Sequence, residues 1–229
     1  MSTYRQAKKT LPPRIGHLCI EGVIGVGKTT LCRLLKERFD ARLVLEEAEQ
    51  NPFLAKFYED RRNYAFQTQL WFLVSRYRQL SAAFMQEDLF HALTVTDYMF
   101  AKDSIFASIN LDDDELALYN TVAKALEKDV AKPDFVVYLQ ASTDTLMRRI
   151  GKRGRPYEFN MDASYIDIIN EAYNHFFFHY TDSPLLIINT NDIDFVLNAE
   201  DLEEIVDQIA ESKSGINFYQ PLGTKNRDR

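Results

Sequence analysis

The sequence predicts a three-layer α/β fold built on a five-stranded parallel sheet. Short apolar runs rich in β-branched residues alternate along the chain with longer segments of helical periodicity. A glycine-rich turn joins the first apolar run to the first helical segment, and the 229 residues are enough to bury one sizeable core. Alternation of this kind places a parallel sheet between two layers of helices.

The predicted elements follow one another in a regular order. The five strands are the apolar runs at residues 17–21, 42–45, 93–97, 135–139 and 185–189. Helical periodicity predicts helices at 30–39, 53–85, 112–130, 143–151, 165–180 and 199–209. We expect one domain over residues 15–211, with a flexible polar arm at 1–14 and a loosely held polar tail at 212–229.

Composition argues against several classes of partner. The formal net charge of -7 disfavours polymeric nucleic acid and anionic membranes, because both attract basic surfaces. The sequence has no run of roughly 18 apolar residues and no secretory signal at its start. Two cysteines, Cys19 and Cys32, are too few for a disulfide framework. We therefore expect a cytoplasmic protein that acts on a small substrate.

A phosphate-binding motif follows the first predicted strand. Residues 22–29, Gly-Val-Ile-Gly-Val-Gly-Lys-Thr, match G-x-x-x-x-G-K-[ST] between a strand and a helix. The glycines let backbone N–H groups wrap a triphosphate, the lysine reaches its β and γ oxygens, and the threonine hydroxyl binds Mg²⁺. The residues predicted to bind ATP are Gly22, Gly25, Val26, Gly27, Lys28, Thr29 and Thr30. Lys28 is also predicted to be catalytic, and Thr29 to be a ligand of Mg²⁺.

Other motifs separate the classes of P-loop protein. A signalling GTPase needs Asn-Lys-x-Asp and Asp-x-x-Gly strings, and the sequence contains neither. With the P-loop included, residues 15–209 resemble the deoxynucleoside kinase family. That family has its catalytic carboxylate just after the second strand, in a Glu-Pro-Val motif. The resemblance implies that Glu47 is the base that contacts the substrate hydroxyl, with Glu46 as the alternative; Ala48 and Glu49 replace the proline and valine.

A second part of the resemblance concerns the nucleoside. The family binds the base through a glutamine and an arginine seven residues apart, the spacing of Gln69 and Arg76. Seven residues are about two helical turns, so these side chains share a face that excludes Gln67. Tyr58 stands where the family has a tyrosine that contacts the sugar 3′-hydroxyl. Candidates to wall the base, or simply to fill the core, are Trp71, Phe72 and Phe106.

The segment after the third predicted strand resembles the family's acidic-Arg-Ser motif. Asp97, at the carboxyl end of that strand, would hold Mg²⁺ directly or through water. Tyr98 replaces the arginine that the family has near the 5′-hydroxyl, and Lys102 is a nearby candidate for the missing charge. Asp103 corresponds to the acid that partners the arginine at the base in members acting on purines and cytosine. Together with Arg76 it points away from strict thymidine specificity, with purines as the first choice.

A concentrated basic segment at residues 148–158 resembles the family's lid over the triphosphate. Arginines in such a loop neutralise charge during phosphoryl transfer, and its glycines allow it to move. The resemblance implies catalytic roles for Arg153 and Arg155, and ATP binding by Arg149 and Arg153. Glu158 has the spacing of the family's acid that binds the 3′-hydroxyl.

These motifs together predict an ATP- and Mg²⁺-dependent deoxynucleoside kinase with a helical lid. It would phosphorylate the 5′-hydroxyl of a deoxynucleoside in nucleotide salvage, with purines or deoxycytidine favoured over thymidine. The alternative is a nucleoside monophosphate kinase of the thymidylate kinase type, in which Arg76 would bind the acceptor phosphate. A non-catalytic nucleotide-binding regulator would not need the acceptor-site residues. Resemblance to the family also implies a homodimer.

Overall fold

The computed structural model describes residues 15–85, 90–159 and 161–221, so the predicted arm at 1–14 lies outside it. The strands are β1 His17–Gly22, β2 Arg42–Val44, β3 Thr94–Thr96, β4 Phe135–Gln140, β5 Leu185–Asn189 and β6 Ile216–Tyr219. They form one parallel sheet in the order β2-β3-β1-β4-β5-β6. The helices are α1 Lys28–Phe39, α2 Leu54–Glu59, α3 Arg61–Phe84, α4 Lys102–Asn110, α5 Asp113–Glu127, α6 Thr143–Arg153, α7 Ala163–Phe178 and α8 Ala199–Ala210.

The predicted α/β class with a parallel sheet is confirmed, but the predicted count of five strands is wrong. β6 pairs in parallel with β5, from Leu185 opposite Ile216 to Ile188 opposite Tyr219. It lies inside the segment predicted to be a loose polar tail. Main-chain hydrogen bonds to one neighbour hold an edge strand, and its side chains stay largely in solvent; Phe218 is 76% exposed. The apolar pattern that identifies a buried strand is therefore weak here.

The helices differ from the predicted ones mainly at their boundaries. The predicted helix at 53–85 is divided at Asp60, whose side chain accepts a hydrogen bond from the backbone N–H of Asn63 (3.3 Å) and so begins α3 as an N-cap. α4 is an addition to the predicted elements. α6 ends at Arg153, and Gly154, which follows it inside the segment 148–158, caps the helix with a left-handed φ of 66°. No helix in the described part of the chain is long and apolar enough to cross a bilayer.

The sheet gathers the polar segments of the fold at one edge. β1 lies between β3 and β4 and is buried along its whole length, as expected for a parallel strand covered on both faces. α1 contacts β1, β2 and β3, and the ring of Tyr138 on β4 stacks 4.2 Å from that of Phe177 on α7. Because parallel strands end at the same edge, the P-loop after β1, the acidic segment after β2 and Asp97 after β3 come together there.

His17, at the start of β1, makes the stability of this fold depend on pH. Its side chain is buried, with Nε2 3.0 Å from the Thr96 hydroxyl. Burial lowers the pKa of His17 from 6.5 to about 4, so the folded protein keeps the ring neutral where the unfolded chain would take up a proton. The stability that this neutral ring contributes is fully present above the pKa of His17 in the unfolded chain. It is lost as the pH falls toward the pKa of His17 in the folded protein. Because the unfolded chain takes up a proton at His17, we expect the free energy of unfolding to fall by about 2 kcal/mol from pH 7 to pH 5.

Denaturant titrations of the wild type and of His17→Gln at both pH values measure this contribution. The difference between the two proteins should shrink by about that amount at pH 5, since glutamine has no proton to gain. Equal pH dependence in the two proteins would show that His17 is not responsible.

Candidate active site

A cavity of about 750 Å³ opens at the carboxyl edge of the sheet. This volume is in the range of pockets that hold small ligands. Its walls come from the P-loop, the acidic segment after β2, α3, the start of α4, the lid segment and residues 193–197. Nearly all of the predicted site residues border it; the two that do not are Gly22 and Asp103.

The P-loop has the conformation that its glycines permit. Gly25 and Gly27 have φ values of 87° and 108°, a region that other residues rarely adopt. A Cβ on Gly27 would lie 2.8 Å from the ring of Phe195, so no other residue fits without displacing that ring. Lys28 donates hydrogen bonds to the carbonyl oxygens of Gly22 (2.6 Å) and Val23 (3.2 Å). Burial, and then the charge of Lys102, lower the pKa of Lys28 to about 8.

Thr29 and Asp97 form a pair of hard oxygen ligands next to this loop. The Thr29 hydroxyl donates to Asp97 Oδ2 at 2.5 Å, and Asp97 Oδ1 accepts the backbone N–H of Glu46 at 2.7 Å. Mg²⁺ is usually bound by one or two protein oxygens together with phosphate oxygens and water. The described residues contain no cluster of three or more His, Cys, Asp or Glu side chains that could hold a metal alone. The pair therefore fits a magnesium ion that arrives with a triphosphate.

Glu46 lies inside the cavity between two cations. Arg76 donates to Glu46 Oε1 through Nε (2.7 Å) and through its second terminal nitrogen. Lys102 Nζ lies 3.2 Å from Oε1 and 3.0 Å from Oε2. Burial raises the pKa of Glu46, but the charges of Arg76 and Lys102 outweigh burial and hold that pKa far below its usual value. The carboxylate is therefore ionised and fixed in one orientation.

Glu47 has a different environment from its neighbour. It borders the mouth of the cavity, but its side chain is exposed and makes no hydrogen bond or ion pair with the described residues. The reason is the chain path after β2. The backbone N–H of Glu46 is tied to Asp97, and Glu47 then caps a short 3₁₀ turn at Ala48–Gln50. The carboxylate that reaches the interior is thus one position earlier than the sequence prediction of Glu47.

The inner face of α3 carries the predicted glutamine and arginine. Gln69 and Arg76 are buried and border the cavity, whereas Gln67 is exposed, as the helical spacing predicts. Gln69 Oε1 and the Thr68 hydroxyl are buried and have no hydrogen-bond partner within the described residues. Phe72 and Phe106 border the cavity. Gln69 therefore presents an unpaired acceptor at an aromatic wall, an arrangement suited to a nucleobase.

Asp103 lies behind Arg76, outside the cavity wall. Its Oδ1 accepts a hydrogen bond from Arg76, and its side chain is 2% exposed. Burial raises the pKa of Asp103 to about 6, although the charge of Arg76 opposes the shift. The pairing of Asp103 with Arg76 fits the partnership that the resemblance implies, and the binding of a substrate by Asp103 stays a prediction. Successive residues of a helix point about 100° apart, so Lys102 at the start of α4 faces the cavity and Asp103 faces α3.

The lid segment, residues 148–158, has one ion pair within itself and another to the segment after β2. Arg153 contacts Glu158 through Nε (3.2 Å) and a terminal nitrogen (2.5 Å), and Glu158 is buried. Arg155 lies 3.2 Å from Glu49, which belongs to the segment after β2. The contact of Arg155 with Glu49 joins the lid segment to the acidic segment that also borders the cavity.

Arg149, which is predicted to bind ATP, bonds in the structure to backbone carbonyl oxygens at the wall of the cavity. Its guanidinium borders the cavity but donates to the carbonyl oxygens of Val26 (3.2 Å), Thr190 (2.6 Å) and Ile193 (3.3 Å). These bonds tie the P-loop to the segment after β5. Arg149 therefore shapes the wall where the predicted ATP would lie.

Some site residues carried no clear signal in the sequence. Tyr58 borders the cavity, as predicted, and its ring stacks 5.8 Å from that of Tyr157, a lid residue without a predicted role. Phe195 packs beside the P-loop from a segment that matches no motif. The contact of Lys102 with Glu46 joins residues 56 positions apart. Only a three-dimensional arrangement brings these groups together.

Comparisons with known proteins agree with this geometry. Residues 18–213 match the deoxynucleoside kinase protein family. The chain is 35% identical over 201 residues to a deoxyguanosine kinase of Bacillus subtilis, covering 85% of this chain and 96% of that one. It is 30% identical over 206 residues to a deoxyadenosine/deoxycytidine kinase of the same organism, covering 86% and 93%. A solved deoxyadenosine kinase from M. mycoides with bound dATP superposes with a TM-score of 0.72 at 25% identity, covering 85% and 98%. The chain belongs to the deoxynucleoside kinase family.

Proposed function

We propose that this deoxynucleoside kinase acts on purine deoxynucleosides, with deoxyguanosine first, and transfers the γ-phosphate of ATP to the 5′-hydroxyl. The observation that carries the proposal is the position of Glu46, an ionised carboxylate held between Arg76 and Lys102 beside the P-loop. The buried, unpaired oxygen of Gln69 stands in the same cavity for the base. A phosphate loop, a proton acceptor and a base-binding wall in one cavity are what such a transfer requires.

We infer the following roles for the protein groups. The P-loop N–H groups and Lys28 bind the triphosphate, and Thr29 and Asp97 would hold Mg²⁺, which neutralises charge on the phosphate oxygens. The 5′-hydroxyl of the acceptor donates a hydrogen bond to Glu46, which takes the proton as the new bond from that oxygen to the γ-phosphorus forms. The bond between the γ-phosphorus and the oxygen of the β-phosphate breaks in the same step, and ADP leaves. Tyr58 and Glu158, which also border the cavity, would bind the sugar, and Arg153 and Arg155 of the lid would bind the triphosphate.

Assignment of the proton acceptor to Glu46 replaces the predicted Glu47. A general base must be held within hydrogen-bond reach of its substrate. Glu46 is oriented by two buried cations, whereas Glu47 is exposed at the cavity mouth. The orientation supports Glu46 as the group that contacts the acceptor.

The cations of the site argue against a nucleoside monophosphate as acceptor. Binding an acceptor phosphate needs cations that are not already neutralised. Arg76, the candidate for that role, is paired with both Glu46 and Asp103, and Lys102 is paired with Glu46. Glu46 and Glu158 would repel an acceptor phosphate. A neutral nucleoside with hydroxyl groups fits these walls better.

We expect deoxyguanosine and deoxyadenosine to be phosphorylated far better than thymidine. Arg76 keeps N–H donors beyond those given to Glu46 and Asp103, and guanine presents two acceptors, O6 and N7, to such donors. A base that leaves a buried polar group unpaired costs about 1–3 kcal/mol, or roughly fivefold to more than a hundredfold in kcat/KM. Steady-state kcat/KM for the four deoxynucleosides with ATP and Mg²⁺ measures the ranking.

Gln69→Met tests whether the base meets the inner face of α3. It should lower kcat/KM for the purine substrates by about tenfold or more, because methionine cannot make the hydrogen bond that we propose between the Gln69 side chain and the base. Gln67→Met is the matched control, because Gln67 is exposed two residues earlier on the same helix. Arg76 is unsuitable for this test because its removal would also release Glu46. Thymidine ranking first, or equal effects of the two variants, would contradict the proposal.

The homodimer and the cytoplasmic location stay predictions. The homodimer is implied by resemblance to the family, and the location by composition.

A further inference from the structure

We propose that Lys102 is a positioning residue for phosphoryl transfer, which fixes Glu46 so that Oε2 accepts the proton of the 5′-hydroxyl. The inference rests on the proposed role of Glu46 as the base. It gives a role in the reaction to a residue that the sequence offers only as a candidate for the missing arginine charge and whose amine is buried at the wall of the cavity.

Lys102 makes its hydrogen bonds to a single residue among those the structure describes. It is the first residue of α4 and its side chain is 5% exposed. Its Nζ lies 3.0 Å and 3.2 Å from the two Glu46 oxygens and makes no other hydrogen bond with the described residues. An ammonium group out of water is costly unless it is paired, so the pair with Glu46 is what allows a lysine at this position.

The two oxygens of the Glu46 carboxylate accept different numbers of hydrogen bonds from Arg76 and Lys102. Oε1 accepts two hydrogen bonds from Arg76 and one from Lys102. Oε2 accepts only that of Lys102 among the described residues. A carboxylate oxygen has about two lone-pair sites, so Oε1 is fully occupied and Oε2 keeps one for another donor. Lys102 therefore prevents the carboxylate from rotating and leaves Oε2 as the acceptor for the substrate.

The neighbours of Lys102 after β3 do not bring a positive charge to Glu46. Tyr98, the residue after Asp97, is fully buried, and its hydroxyl donates to Gln79 on α3 (2.7 Å), away from Glu46. Asp103 is an acid that engages Arg76 from the far side. Lys102 is the described residue of this connection that brings a positive charge to Glu46.

The charged and titratable groups close enough to act electrostatically on Glu46 come from several elements. They are Lys28 of α1, Arg76 of α3, Asp97 and Tyr98 after β3, Lys102 and Asp103 of α4, and Tyr173 of α7. Only Arg76 and Lys102 among them contact the carboxylate oxygens. Removal of one of these two contacts leaves the carboxylate held from one side.

The test compares Lys102→Met with Lys102→Arg. Methionine has a similar length without charge, so Glu46 loses its second contact; we expect kcat to fall by about 10- to 100-fold, with KM for the deoxynucleoside within about twofold. Arginine keeps the charge and should recover most of the activity. Thermal unfolding reports whether the variants are folded, and Lys102→Gln, with the same expected loss, replaces the methionine variant if that one does not fold.

Combination with Glu46→Gln separates this inference from the proposed function. If Lys102 acts through Glu46, Lys102→Met should change kcat by less than about twofold in the Glu46→Gln background. An undiminished kcat in the single variant, or independent losses that multiply in the double variant, would overturn the role of Lys102 and leave the base intact. Full activity of Glu46→Gln alone would instead refute the proposed function.

Discussion

Replacement of Glu46 by glutamine is expected to lower kcat by about 10²-fold or more, with little change in KM for the deoxynucleoside. Glutamine has nearly the same shape, so the acceptor can still bind, but its amide cannot take the hydroxyl proton. Arg76 and Lys102 also lose the charge that pairs them, so we expect a lower Tm. Kinetics below that Tm separate the chemical effect from loss of folded protein.

Glu47→Gln is the matched control, because the two glutamates are adjacent and differ in burial. Glu47 is exposed and lacks a partner among the described residues, so its replacement should leave kcat within about twofold and Tm unchanged. If instead Glu47→Gln abolishes transfer and Glu46→Gln does not, the base is Glu47, and the inward carboxylate is only a structural ion pair.

Lys28→Met is expected to reduce kcat/KM by about 10³-fold while the protein stays folded. The lysine ammonium is the P-loop charge nearest the transferred group, and loss of a single donor to the developing charge of a transition state costs about 10²–10³-fold. In the structure Lys28 donates to the carbonyl oxygens of Gly22 and Val23, contacts that a triphosphate would replace. Single-turnover kinetics with labelled ATP, together with ATP binding by calorimetry, measure the loss in each step.

Lys36→Met provides the control for removal of a positive charge from the same helix. Lys36 lies two turns further along α1 and is exposed; its ion pair within the described part of the chain is with Glu37, at 4.0 Å. Its replacement should leave turnover within about twofold. Turnover that survives in Lys28→Met would mean that the P-loop does not bind the reacting phosphates as proposed.

Several features of this protein could be predicted from contiguous sequence. The P-loop is a local motif, since its glycines, lysine and threonine act within one turn between a strand and a helix. Gln69 and Arg76 follow from the helical period, and Gln67 was correctly excluded by it. The buried strands were found because both faces of a parallel sheet demand apolar residues. β6 was not predicted, because an edge strand does not need apolar residues on both faces.

Only the tertiary structure decided which charged groups meet. Which of Glu46 and Glu47 turns toward the interior of the cavity depends on the backbone hydrogen bond from Glu46 to Asp97, the residue that follows β3. Lys102 contacts Glu46 and Asp103 contacts Arg76 because of where α4 begins and how it is rotated relative to α3. Sequence determines local conformation through short-range backbone and periodicity rules, whereas the pairing of buried charges is determined by how distant elements pack, since a buried ion is tolerated only where a partner is brought to it.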